Sequence, residues 1–201
     1  MKMRRQTSEY GYSFFTLAIL IMLLVTSFLV SSCKNNEERD SETTVTIQPS
    51  TQSEKNNSKE INDEFLLAAA LINLEEIELG KLAQTKAQSQ EVKDLGKMMV
   101  EGHTKSLREL TTLAKSKQIT IPQQISEDAK EKYRNLNETS GKDFDIKYVD
   151  EMIKGHQDAI SKFESAETDI NDEDIKAWIS ATLPDLNMHL DDAKTLDEKI
   201  K

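Results

Sequence analysis

A single cysteine in 201 residues, Cys33, excludes an intramolecular disulfide, so a folded domain made from this chain must be held by its core alone. There is no surplus of positive charge. The formal net charge is −10, and residues 1–32 carry two more positive than negative groups, so the remainder is more acidic still. Nucleic acid, whose phosphates require a basic footprint, is excluded as a partner, and so is adhesion to anionic lipid headgroups. The chain has no glycine-rich phosphate loop, no nucleophile elbow and no persuasive Ser/His/Asp set, which removes the common enzyme classes. A non-enzymatic protein is the expectation.

The one long apolar run lies at the N-terminus. Lys2, Arg4 and Arg5 precede an almost unbroken hydrophobic stretch from Phe14 to Val30, and the small residues Ser31 and Ser32 follow. That is the three-part order of a secretion signal. Val30-Ser31-Ser32-Cys33 resembles a lipobox, in which small side chains pass a narrow peptidase site and the cysteine thiol is alkylated. Residues 1–32 are therefore read as a lipoprotein signal peptide and Cys33 as the lipidated residue, with several acyl chains anchoring it stably. An alkylated Cys33 leaves no thiol for catalysis. The expected location is the cell envelope, attached to a membrane by that lipid, the outer membrane in preference to the inner, facing the periplasm or the cell surface.

Residues 33–60 offer little to bury, with Val45 and Ile47 among Asn, Ser, Thr, Gln and Glu, and are read as a disordered tether. From residue 61 to 201 the apolar residues recur at helical rather than alternating spacing. A first long helix is predicted over Asn62–Lys86, with Ala68, Ile72, Leu79 and Leu82 inward. A second starts at a Ser89 cap and runs to Lys117, with Leu95, Met99, Leu107, Leu110 and Ala114 inward. After Pro122 a short helix spans Ser126–Leu136. A third long helix covers Asp143–Thr168 and buries Val149, Met152, Ile160, Phe163 and Ala166. The fourth covers Asp172–Ile200 and buries Ile175, Ile179, Leu186, Ala193 and Leu196. The fold class is all-α: a four-helix bundle, read as up-down-up-down, with a short extra helix between the second and third long helices.

The sequence holds three histidines, and all share one local context. Met99-Val100-Glu101-Gly102-His103 matches Met152-Ile153-Lys154-Gly155-His156, and apolar residues follow each histidine at four and seven positions. His189 repeats the pattern more faintly. Each lies on an inward face, where leucine would be the default, and Glu75, Glu76 and Glu78 interrupt the first helix at a comparable height. Counted from the turns near Gln88 and Ile170, Glu76, His103, His156, Asp185 and His189 fall within about one helical turn of one another. Pro184 removes an amide beside them and predicts a kink there.

Glu76-Ile77-Glu78-Leu79-Gly80-Lys81-Leu82-Ala83, Met98 through His103, Phe144 through Val149 with His156, and Leu183-Pro184-Asp185-Leu186-Asn187-Met188-His189-Leu190 together resemble the ferritin-like bacterial family known as domain of unknown function 4142 (DUF4142), often labelled an outer membrane protein. The resemblance spans residues 62–198. It implies a ferritin-like bundle in the cell envelope and no particular reaction. One departure is the glycine before His103 and again before His156, where the family is commonly polar.

Two functions suit the polar layer. The sequence favours a structural layer that fixes register in a non-enzymatic envelope module with a stress or interaction role and no cofactor. The alternative is a bundle that buffers or senses a transition metal, with Glu76, His103, His156, Asp185 and His189 as candidate ligands for zinc, copper or iron. A di-iron ferroxidase is disfavoured, because no Glu-x-x-His pair occurs in the chain.

Overall fold

The computed structural model describes residues 51–201, so Cys33 and the signal-peptide reading lie outside the described residues. Five helices follow in order: α1 Thr51–Lys86, α2 Gln90–Ser116, α3 Glu127–Asn137, α4 Gly141–Asp169 and α5 Glu173–Ile200. No described helix is long and apolar enough to cross a membrane. The starts follow side-chain chemistry. The Ser89 hydroxyl accepts from the Glu91 and Val92 amides, Ser126 from Ala129, and Asp172 from Asp174 and Ile175, satisfying donors that a helix leaves unpaired in its first turn.

Helix α1 begins at Thr51, well before Asn62, so the last ten residues assigned to the tether are helical. Burial contributes little over residues 56–60, where Asn56, Asn57, Lys59 and Glu60 are exposed. Extending an existing helix costs far less than nucleating one, and an ion pair between Lys59 and Asp63 adds to it. The inward face of α1 also differs from expectation: Phe65, Leu66, Ala69 and Ala70 are buried, whereas Ala68 and Ile72 are only half-buried. Residues 65–72 are all apolar, and a continuous run carries no period from which to choose a face.

The class is as the sequence indicates, a four-helix bundle with α3 as the extra helix, but the direction of one pair needs correcting. Phe65, Leu110, Phe163 and Ile175 share one apolar cluster at the end holding the start of α1, the end of α2, the end of α4 and the start of α5. Leu82, Val92, Phe144 and Leu196 share the cluster at the other end. The order is therefore up-down-down-up. The Asp145 carboxylate, near the start of α4, accepts from the Gln88 and Ser89 amides at 2.9 and 2.8 Å, which pins α4 to the α1–α2 turn. At the far end Lys117 joins Asp172 and Asp174, each at 2.7 Å, tying the end of α2 to the start of α5.

Length makes the crossover feasible. A 28-residue helix is about 42 Å long, α3 alone covers about 16 Å, and the extended chain leading into it supplies the rest. Ile121 meets the first cluster and Leu136 the second. One long crossover is the mark of a ferritin-like bundle. Each hairpin is antiparallel, α1 packs against α2 and α4, and α5 packs against α4 and α2. Helices α2 and α4 are thus diagonal and parallel. Helix α5 runs unbroken through Pro184.

At Gly80 and Gly96 the backbones of α1 and α2 approach so closely that a Cβ on Gly96 would stand 2.8 Å from the Gly80 carbonyl oxygen and 2.9 Å from the Ala83 Cβ. Backbone cannot rotate aside as a side chain can. Gly96→Ala should therefore lower stability by about 1–2 kcal/mol in urea unfolding, overpacking outweighing the better helix propensity of alanine. A variant more stable than the parent would contradict this packing.

Candidate metal centre

Between the two apolar clusters lies a polar layer to which each long helix contributes: Asn73 and Glu76 from α1, His103 from α2, His156 from α4 and His189 from α5. His103 and His156 fall near the middle of their helices, and mid-height is the one level that a reversed helix leaves unchanged. The three imidazoles are 2, 1 and 3 % exposed, respectively. His103 Nε2 lies 3.3 Å from His156 Nε2, and His156 Nε2 lies 3.4 Å from His189 Nδ1. One nitrogen from each ring lies within 4.8 Å of the others. Bonds of about 2.0–2.1 Å to a tetrahedral ion place ligand nitrogens about 3.3–3.4 Å apart, so two of the three edges already have that length.

The hydrogen bonds behind the rings decide which nitrogens carry protons. His156 Nδ1 lies 2.8 Å from the Met152 carbonyl oxygen, an acceptor only, so this nitrogen is the donor. The Asn73 amide is oriented by its Nδ2, which donates to the Ala69 carbonyl at 2.8 Å, turning Oδ1 toward His103 Nδ1 at 3.1 Å. His103 therefore also donates from Nδ1. In the neutral rings both Nε2 atoms are left with lone pairs, aimed at each other across 3.3 Å. His189 Nδ1–H can satisfy the lone pair on His156, but His103 keeps its own. Backbone and amide oxygens that fix the tautomer of a ligating histidine are the usual support of a metal site.

A proton does not relieve this contact at neutral pH. Burial first, and then the neighbouring rings, hold His103 well below the ordinary histidine value. Burial likewise takes His156 down to about 4, despite its bond to the Met152 carbonyl. His189 is lowered by burial, with Asp185 and Asp192 opposing. Two fixed Nε2 lone pairs and the Nδ1 of a third neutral ring meet where burial disfavours a proton at neutral pH, and they suit a cation that brings its own charge and takes the place of the His189 proton.

The glycines preceding His103 and His156 acquire a reason. A Cβ on Gly102 would stand 2.6 Å from His189 Cε1, and one on Gly155 would stand 2.9 Å from Glu76 Oε1. Each glycine of the repeat clears space for a polar side chain from the adjoining antiparallel helix. The diagonal, parallel placement of α2 and α4 is what brings the two copies of the repeat face to face.

The structure gathers His103, His156 and His189 but not the two carboxylates predicted with them. Asp185 is on the surface, its side chain 49 % exposed, paired with Lys105 at 3.4 Å. It shares a face with His189 in sequence spacing, yet its shorter side chain is directed outward. Glu76 is buried, but among the described residues it does not join the ligand cluster. Its Oε2 has no partner, and burial together with Glu75 and Glu151 raises its pKa to about 8 against the pull of Lys132. The buried Tyr148 hydroxyl, raised by burial and by Glu76, is unpartnered as well. Asn73 is not among the residues that the sequence singles out. Its only signal is a polar residue within an apolar run, three positions before Glu76.

A cleft of about 170 Å³ opens between α2 and α5 and reaches His103 and His189, bounded by Gly102, Ser106 and Thr182. The larger grooves, between α1 and α4 and between α3 and α4, contain no histidine.

Comparison with known proteins agrees with this architecture. The family profile described as domain of unknown function (DUF4142) matches residues 47–196. Among solved structures, CopM in an Ag-bound form aligns with a TM-score of 0.56 at 17% identity, covering 68% of this chain and 95% of that one. CopM in its Cu(II)-bound form aligns with a TM-score of 0.55 at 17% identity, over 68% and 96%. At that identity the likeness is one of fold. No curated protein matches the chain.

A carboxyl held neutral in the core costs stability once the unfolded chain can ionise. Glu76 is raised from its ordinary 4.5 to about 8, so the native state binds the extra proton and stability falls as pH rises from 4.5 to 8. Glu76→Gln should therefore raise stability by on the order of 3 kcal/mol at pH 7, the gain shrinking toward pH 4.5, in urea unfolding of metal-free protein. A gain that does not depend on pH would show that Glu76 is ionised in the native state.

Proposed function

The chain belongs to the DUF4142 family, and from that premise we propose that its bundle binds one transition-metal ion through His103, His156 and His189, as a non-enzymatic carrier or buffer held in the cell envelope by a lipid on Cys33. The observation that carries this reading is the pair of Nε2 lone pairs, fixed by Asn73 and the Met152 carbonyl, that face each other at 3.3 Å in rings kept from protonating. A layer that served only to fix helix register would place a donor opposite an acceptor. This contact moves the preference from the structural layer to the metal.

Copper is the favoured ion. Imidazole suits zinc, copper and iron(II), and among divalent ions the affinity order peaks at Cu(II). The structural likeness to CopM, seen in Ag-bound and Cu(II)-bound forms, points the same way. All three ligands are neutral, and no thiol other than Cys33 exists in the chain. Asn73 supports His103, Gly102 makes room for His189, and Glu76 and Asp185 stand outside the ligand set.

The intact chain should bind one equivalent of Cu(II), measured by metal analysis after desalting, and His103→Ala/His156→Ala should bind none. Gly102→Ala should weaken binding by at least about tenfold without unfolding the bundle, because the new methyl displaces the His189 ring. An empty wild-type protein whose melting temperature ignores copper, zinc and iron would overturn the reading.

Acid should release the metal late. Ordinary histidine sites empty as pH falls through about 6.5, when the ligands protonate. With all three rings shifted down and His156 at about 4, loading should stay level from pH 7 to below 6 and fall as the His156 value is approached. Equilibrium dialysis against pH checks this, and loss centred near 6.5 would contradict it.

A further inference from the structure

The three-histidine site is walled by apolar clusters at both ends and by α1 and α4 on two sides, so a metal ion needs a route to it. The cleft between α2 and α5 reaches the ligands, with His103 and His189 in its lining. Gly102 keeps this cleft open, since a side chain there would strike the His189 ring. The lining carries two carboxylates, Glu109 on α2 and Asp185 on α5, against one ammonium, Lys105, so it favours cations. Lys105 Nζ reaches from α2 to Asp185 Oδ2 at 3.4 Å, and both side chains are about half exposed.

We infer that the metal reaches and leaves the histidines through this cleft, with Glu109 and Asp185 capturing the hydrated cation and Lys105 as the latch that it displaces. This rests on the three-histidine reading above. A carboxylate oxygen can take up a hydrated cation in water, and the exposed Lys105–Asp185 pair is weak enough to open for it. The ion then exchanges its waters for the imidazole nitrogens. Asp185 thereby acts in transit, which accounts for a carboxylate one turn from His189 that faces solvent instead of the ligand cluster. The grooves on the other faces, although larger, lead to no histidine.

Stopped-flow mixing of the intact metal-free chain with Cu(II), followed by copper–imidazole absorbance, tests the route. Asp185→Asn and Glu109→Gln should each slow association about three- to tenfold at low ionic strength, with the effect shrinking as salt is added. Lys105→Ala should accelerate it by a similar factor. Asp158→Asn removes an equal charge from an exposed position on α4, two residues from His156 but outside the cleft, and should leave the rate unchanged. Slowing by Asp158→Asn as large as by Asp185→Asn, or cleft variants that all load at the parent rate, would overturn this route. A wild-type chain that takes up no metal would overturn the three-histidine reading itself. Unchanged helical circular dichroism in each variant separates a kinetic effect from misfolding.

Discussion

Three imidazole nitrogens brought to within 4.8 Å of one another in a dry bundle core form the contact on which the rest of this structure depends. Burial keeps water from them and, at neutral pH, withholds the proton that would otherwise join them. What remains is a set of lone pairs held in opposition by hydrogen bonds behind the rings. Such an arrangement costs stability in isolation, and the apolar clusters on either side supply what holds it together. Fully buried side chains of the size of Phe144, Phe163 and Met152 are worth about 1.5–3 kcal/mol each.

Several features of the chain follow from that centre. Asn73 suits its place in an apolar run because one amide can orient His103 while anchoring itself to its own helix. Gly102 and Gly155 suit their positions because the polar side chains opposite need the space that a Cβ would fill. The crossover through α3 sets α2 and α4 parallel on a diagonal, so the two copies of the Met-x-x-Gly-His segment present their histidines to each other across the bundle axis. A bundle of strictly alternating helices would set those copies antiparallel. Glu76 belongs to the same layer but to a separate electrostatic group with Glu75, Glu151 and Lys132, where it remains neutral.

Much of this was legible in the sequence. The helix starts could be read because Ser89, Ser126 and Asp172 have side chains that cap. The inward faces of α4 and α5 could be read because their apolar residues keep a 3.6 period. The face of α1 could not, because residues 65–72 are apolar throughout. Helix direction was equally hidden, since a connection with a helix of its own is long enough either to turn back at once or to cross the bundle. The histidine layer survived that error because its members sit near mid-helix. Asp185 and Glu76 stand outside the cluster of three histidines, which helical spacing alone does not reveal, since it gives height and rough face but not where a carboxylate turns. Asn73 was overlooked because a lone amide in an apolar run gives no hint of the ring that it orients.

The site depends on where the histidine ring protons sit. Long-range ¹H–¹⁵N correlation spectra of the histidine rings in the metal-free protein at pH 7 report on it directly. They should show His103 and His156 as neutral rings protonated at Nδ1, with bare Nε2 nitrogens whose signals shift or vanish on one equivalent of metal. Rings protonated at Nε2, or imidazolium rings at that pH, would contradict the account.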